Sequence, residues 1–567
     1  MRGEVVNWRQ DKPRLLAEAI GLGIVGALAA RLFTWMLHVC ESFFLKRMAG
    51  YQPPGVSSEG GSLQAVIGPH GLWLIPLATT LGGLLSGILV YALAPEAEGH
   101  GTDAAVAAFH RAGGFIRARV APVKLVASAI TIGSGGAAGR EGPTALISAG
   151  VGSLYATLMK RSEEERRILL LAGMAAGLSA IFRTPIGTGV FAIEVLYGGM
   201  EFETSALLYT MLSSAVAYAV NGFFVGWQPL FKLTAPRTPH LSEYGWYLAL
   251  GALAGLVATI LPEVFYRTRD AFRKLPVPAW TKPALGGLGL GLLALKLPQV
   301  LGGGYGWIQL AMNGALALRL LLVLMGAKLV AFALTVSSGG SGGVFAPSLF
   351  VGSMLGGACA VMFHQPPGVF VVVGMAAVFG AAARVPIATL LMVTEMAGGY
   401  QLLVPAAAAV MLSYLVQMWL SQGLRYDSLY EAQVPLREDS PAHHVEQIRV
   451  ALTLLGRRNA PATDRIGHLD LLRLLRSKVR FDLPGGKQLQ LCLLRPESRF
   501  AGKSITNFYN ELGQDDLEIV VVMRREHLLL PHPDTLLEGN DRMLLITSAS
   551  SWASLQNEIT QLTAPHG

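Results

Sequence analysis

The chain has 567 residues, 52% of them hydrophobic and only 14% charged, with a mean hydropathy of +0.46. That balance excludes an ordinary soluble protein of this size and fits a polytopic helical membrane protein. The net charge of +8 does not require nucleic acid, because basic residues gather at the N-terminus (Arg2, Arg9, Lys12, Arg14) and in connections such as 111–124, as cytoplasmic flanks do.

The first apolar segment, roughly 15–39, is too long for a signal-peptide core and lacks a persuasive cleavage site, so it reads as a retained helix. Apolar helical spans are predicted at 15–45, 71–95, 120–132, 143–160, 167–181, 186–198, 204–224, 244–265, 283–297, 318–336, 347–363, 367–382, 386–397 and 402–421. Several fall short of the ~20 residues that cross a bilayer. Short spans broken by Gly and Pro suggest helices that stop within the membrane, where loose backbone lines a cavity.

The chain also repeats itself. Residues 173–195 and 374–396 are identical at ten of 23 positions at an offset of 201, and Gly139-x-x-x-Pro143 matches Gly343-x-x-x-Pro347 at an offset of 204. Broken helices at matching places in two halves point to a substrate site near the bilayer midplane. After about residue 433 the composition turns polar. Residues 434–486 read as a linker with a helix at 464–478, and its histidines (His443, His444, His468) read as solvated. From 487 to 562 a small βαβββα module is predicted, with strands at 488–494 and 517–525, a helix at 501–512, a hairpin-like pair at 527–531 and 541–547, and a last helix at 549–562.

Four segments share one chemistry. Gly99-His100-Gly101-Thr102-Asp103 precedes a helical stretch, Gly139-Arg140-Glu141-Gly142-Pro143 opens another, and Gly343-Val344-Phe345-Ala346-Pro347 opens a third. Tyr430 follows the last apolar span. Glycine lets backbone approach an ion closely, and a helix N-terminus offers unpaired N–H groups carrying about half a positive charge. Convergent N-termini would hold a small anion weakly enough to release it. Glu141 sits where its own carboxylate can compete for that place. The plainer reading is a first-turn glutamate that only stabilises its helix.

These motifs resemble the ion-pathway motifs of the CLC family of chloride channels and chloride/proton antiporters, over about residues 15–433. The resemblance implies an all-α membrane fold of inverted repeats, in a homodimer whose subunits each have a pore. It implies Glu141 as the gate, and a chloride bound by His100, Gly101, Gly142, Val344, Phe345 and Tyr430. It also implies dimer-interface helices near 204–224 and 402–421.

Two departures stand out. The family's first motif usually reads Gly-Ser-Gly-Ile-Pro, whereas here His100, Thr102 and Asp103 appear. His100 either donates an N–H to chloride, making transport pH-sensitive, or fills space while backbone amides coordinate. Selectivity among halides and nitrate stays open. Antiporters of the family often carry a glutamate at the position after Glu194, and here it is Val195. An apolar side chain cannot relay a proton, so the expectation is passive chloride conduction, with proton-coupled antiport as the alternative. Glu194 itself reads as structural, because its repeat mate Glu395 occupies the matching place.

Residues 487–562 resemble a TrkA-C-like domain, carried by Leu494–Gly502, Ile519–Arg525 and Glu538–Asp541. The resemblance implies a cytosolic, dimerising sensor for a small nucleotide such as cyclic di-AMP, with structural dimerisation as the plainer role. Arg495 and Arg499 are candidates to meet phosphates. The expected location is therefore a bacterial plasma membrane, multi-pass, with residues 1–433 as the transport domain. A rival of another class is a membrane-anchored ligand sensor. The glycine run 133–139 lacks the preceding strand of a dinucleotide loop. Cys40, Cys359 and Cys492 give no metal-ligand spacing, and no plausible catalytic set appears, so neither an enzyme nor a resident cofactor is expected.

Overall fold

Glycine and proline cut the first 442 residues into sixteen α-helices among the described residues of a computed structural model, which describes 8–233, 240, 243–443, 481–482, 487–512, 517–524, 527–529, 531–548 and 559–561. In chain order these are α1 (Trp8–Glu41), α2 (Ile75–Leu93), α3 (Thr102–Arg111), α4 (Val120–Gly133), α5 (Glu141–Leu158), α6 (Glu163–Phe182), α7 (Pro185–Glu194) and α8 (Leu207–Val225). There follow α9 (Tyr244–Lys274), α10 (Lys282–Ala294), α11 (Tyr305–Met312), α12 (Leu318–Val336), α13 (Phe345–Phe363), α14 (Pro367–Ala382), α15 (Pro386–Ala397) and α16 (Leu403–Leu420). Seven helical segments among the described residues are long and apolar enough to cross a membrane. The remainder include short apolar helices such as α4, α14 and α15.

The punctuation is duplicated. Proline opens both α7 and α15, and Pro143 and Pro347 occupy the third position of α5 and α13. Arg183 and Arg384 end α6 and α14 with φ of +59° and +55°, a left-handed conformation few non-glycine residues adopt. Gly135 and Gly339 turn the coils before α5 and α13 with φ of +103° and +100°. The offset of 204 extends beyond the two glycine–proline motifs: 124–143 and 328–347 are identical at eleven of 20 positions, starting with Lys124 and Lys328.

Contacts at the helix ends fix the two faces of the bundle. Arg14 pairs with Glu165, Arg166 Nε donates to the Gly113 carbonyl (2.9 Å), and His110 Nδ1 meets Ser440 Oγ (2.7 Å). The start of α1, the α5–α6 turn, the end of α3 and the exit of the transport unit therefore share one face. Helix α1 is 34 residues, about 50 Å long at 1.5 Å per residue. The connection 42–74 after it consequently lies on the opposite face. It carries the short antiparallel pair β1 (Tyr51–Gln52) and β2 (Val66–Ile67).

A second compact unit begins at His443. Its described strands are β3 (Phe481–Asp482), β4 (Lys487–Leu494), β5 (Leu517–Arg524), β6 (His527–Leu529), β7 (Arg542–Ser548) and β8 (Ile559–Gln561), with helix α17 (Ile505–Leu512). The sheet order is β3-β4-β7-β5-β6, and β8 adds to β4. Phe500, Phe508, Ile519, Val522 and Leu545 form its core. Two expectations need correction. The pair at 527–531 and 541–547 is not a hairpin, because β5 lies between β6 and β7 and bonds to both. The end of the expected helix 549–562 is a strand at 559–561, set antiparallel on Cys492–Leu494. β7 pairs with one edge of β4, and pairing the other edge at Cys492–Leu494 outweighs the weak helical pattern. The rest of that helix, the helix at 464–478, His444 and His468 lie outside the described residues.

Candidate functional site

Three glycine-led coils meet between the helix starts. Gly139 and Gly343 exchange backbone hydrogen bonds as an isolated antiparallel bridge (2.8 and 2.7 Å), joining the approaches to α5 and α13. The third coil is tied in by Gly342 N–H donating to the Gly99 carbonyl (3.2 Å) and by Ser341 Oγ donating to the Ala97 carbonyl (3.1 Å). Two glycines are required by geometry. Gly101 has φ +81°, and a Cβ on Gly142 would collide with the His100 carbonyl.

At this junction the Glu141 side chain turns onto the start of α13. Its Oε1 accepts from Phe345 N–H (2.5 Å) and Ala346 N–H (3.2 Å), while Oε2 is buried without a hydrogen-bond partner. Glu141 is only 3% exposed. A carboxylate on orphan amides at a helix N-terminus occupies the place a small anion would take. Phe345 was expected among the donors; Ala346 was not. Val344 instead N-caps α13, its carbonyl accepting from Ser348 N–H and Oγ.

Below this point His100 and Tyr430 face each other, ring centroids 5.5 Å apart, both buried. His100 Nδ1 has no hydrogen-bond partner, and Phe265 closes the other side of the ring at 6.1 Å. Tyr430 is held by its neighbours: Tyr266 Oη donates to the Leu429 carbonyl (2.7 Å) and Leu429 N–H donates to the Ala382 carbonyl (2.9 Å). Asp103 has a definite task, since its Oδ1 accepts from Ala432 N–H (2.8 Å) and ties the Tyr430 segment to α3. The structure therefore brings together His100, Gly101, Glu141, Gly142, Val344, Phe345 and Tyr430. Val195 lies apart at the end of α7, fully buried, its carbonyl accepting from Gln433 Nε2 (3.1 Å).

Reading the sequence missed two buried lysines. Lys124 Nζ donates to the carbonyls of Ala97 (2.9 Å) and Gly99 (2.6 Å), and Lys328 Nζ to those of Val300 (2.8 Å) and Gly302 (2.6 Å). Each side chain gathers the carbonyls of a glycine turn before a short helix, α3 or α11. Their signal was the shared Lys-Leu-Val-Ala at 124–127 and 328–331.

The family profile "Voltage gated chloride channel" matches residues 82–418, and the TrkA-C domain profile matches 492–560. The H(+)/Cl(−) exchange transporter ClcA of Salmonella agona is 32% identical over 379 residues, covering 64% of this chain and 80% of that protein. ClcA of Citrobacter koseri is 33% identical over 346 residues, covering 58% and 73%. Among solved structures, a slow cyanobacterial Cl−/H+ antiporter superposes with a TM-score of 0.64 at 25% identity, covering 73% of this chain and 96% of that one. A CLC-type fluoride/proton antiporter shares the fold, with a TM-score of 0.64 at 24% identity, covering 76% and 100%. The chain belongs to the CLC family of voltage gated chloride channels, as a multi-pass membrane protein that carries a C-terminal TrkA-C domain.

Proposed function

We propose that this CLC-type chloride transporter is a chloride/proton antiporter in which Glu141 is the moving gate. The observation that carries the reading is the Glu141 carboxylate seated on the Phe345 and Ala346 amides. As a carboxylate it excludes chloride from that place; once protonated or displaced it yields the amides and carries its proton. His100, Gly101, Gly142, Val344, Phe345 and Tyr430 border the chloride path. The two ClcA relatives named above are exchange transporters, which favours antiport over the passive conduction expected from Val195. The passive reading keeps one observation, the fully buried apolar side chain at 195. Measuring the reversal potential in proteoliposomes under opposing chloride and proton gradients separates the two. A value displaced from the chloride equilibrium potential supports coupling, and one that coincides with it at every pH defeats the antiporter reading.

The assembly we propose is a homodimer with α8 and α16 at the interface. Their outward apolar residues, including Phe223, Val404, Leu415 and Trp419, support it. The TrkA-C domain is proposed as a cytosolic sensor of a small nucleotide.

A further inference from the structure

On the face opposite the chain exit, a cavity of about 380 Å³ adjoins the gate segment, and its charged lining is unbalanced. Arg31 from α1, Arg140 just before Glu141, and Arg183 at the end of α6 all border it, with His38 and Asn221. One carboxylate, Glu59, faces these three guanidinium groups. Glu59 comes from the connection between β1 and β2 and pairs with Arg140 (Nη2 to Oε1, 2.5 Å). The residues around it are anchored as well: Arg183 Nη2 donates to the Ser58 carbonyl (2.9 Å), and Ser58 Oγ donates to the Leu230 carbonyl (2.6 Å). Arg140 is 95% buried, yet its Nε lacks a hydrogen-bond partner. Arg31 lies over the Phe224 ring at 5.9 Å and forms no ion pair among the described residues. A partly enclosed space with an excess of two fixed positive charges concentrates small anions.

From this we infer that the cavity is an outer capture site for a small monovalent anion, and that Glu59 is a tethered competitor occupying part of it. The inference rests on the transport reading and deepens it: chloride would meet Arg31, Arg183 and Arg140 before reaching Glu141. Removing the Glu59 charge should therefore raise the affinity of the outer face alone, and removing the Arg31 charge should lower it.

The test uses the full chain in right-side-out and inside-out membrane vesicles, with chloride varied on one face at a time. Glu59→Gln should lower the half-saturating outer chloride by about threefold, and Arg31→Gln should raise it by about threefold, as expected for one charge bordering a screened site. The half-saturating inner chloride should not move, and Glu59→Asp should restore wild-type outer affinity. If Glu59 only braces its connection, Glu59→Gln will reduce maximal flux with unchanged half-saturation; that result overturns the inference. Equal shifts on both faces overturn it too. Absence of chloride flux from the wild-type protein would instead defeat the transport reading itself.

Discussion

Glu194 and Glu395, 201 residues apart, cap each other's helix. The Glu194 carboxylate accepts from Ile387 N–H (3.1 Å) and Ala388 N–H (2.6 Å) at the start of α15. The Glu395 carboxylate accepts from Ile186 N–H (3.1 Å) and Gly187 N–H (2.8 Å) at the start of α7. Both carboxylates are buried, and each neutralises a helix end that would otherwise leave orphan donors. Glu194→Ala and Glu395→Ala should each destabilise the protein by about 2 kcal/mol, the scale of charge-assisted bonds to backbone. Chemical unfolding in detergent checks this. A large loss for one variant and none for the other would contradict a reciprocal role.

Much of this arrangement was legible in the chain, and the reason is local. Gly139-x-x-x-Pro143 and its mate at 343–347 encode a turn followed by a helix start, which needs no distant partner to be recognised. Placing Glu141 on the Phe345 amide was a different matter, since the two residues are 204 positions apart and are brought together by tertiary contacts such as the Gly139–Gly343 bridge. The buried lysines showed only as a repeated Lys-Leu-Val-Ala; their task was hidden because their partners are backbone carbonyls, which carry no sequence signal. In the TrkA-C domain, strands β4 and β5 were visible from their alternation. The order of pairing was not, because β5 is inserted between β6 and β7 by packing and not by turn chemistry.

Replacement of the proposed gate has a specific signature. Glu141→Ala leaves the Phe345 and Ala346 amides open to chloride and removes the one titratable group on them. Chloride flux from proteoliposomes should persist and lose its dependence on outer pH, because no titratable side chain then remains on those amides. Proton transport should fall to background. Retained proton pumping in this variant would remove Glu141 from the mechanism.

His100 offers a sharper distinction between chemistry and space-filling. Its Nδ1 is buried without a partner, so a bound anion is its available acceptor. His100→Ala should weaken chloride binding by roughly two- to tenfold, equivalent to one net hydrogen bond of about 0.5–1.5 kcal/mol. Calorimetric titration with chloride reads this directly. Unchanged affinity would assign coordination to backbone amides alone and leave the ring as packing against Tyr430 and Phe265.

In the TrkA-C domain, Asp541 is 1% exposed and depends on Arg524, which contacts it through Nε (3.0 Å) and Nη2 (2.9 Å). The same guanidinium reaches Glu538 (2.7 Å), and Asp541 Oδ2 also accepts from Glu538 N–H (2.8 Å). Removing the arginine strands a carboxylate in the interior, a change that costs about 3–5 kcal/mol for a fully buried pair. Arg524 is 26% exposed, so solvent screens part of that loss and about 2 kcal/mol is expected for Arg524→Ala. Arg524→Lys should recover only part of it, because an ammonium cannot supply the planar fork. Asp541→Ala combined with Arg524→Ala should cost less than the sum of the two, since the stranded charge is gone. The rate of proteolytic cleavage within 487–561 in the full-length protein reports these differences. Strict additivity would mean that the two side chains stabilise the domain independently, and that the observed fork carries no coupling energy.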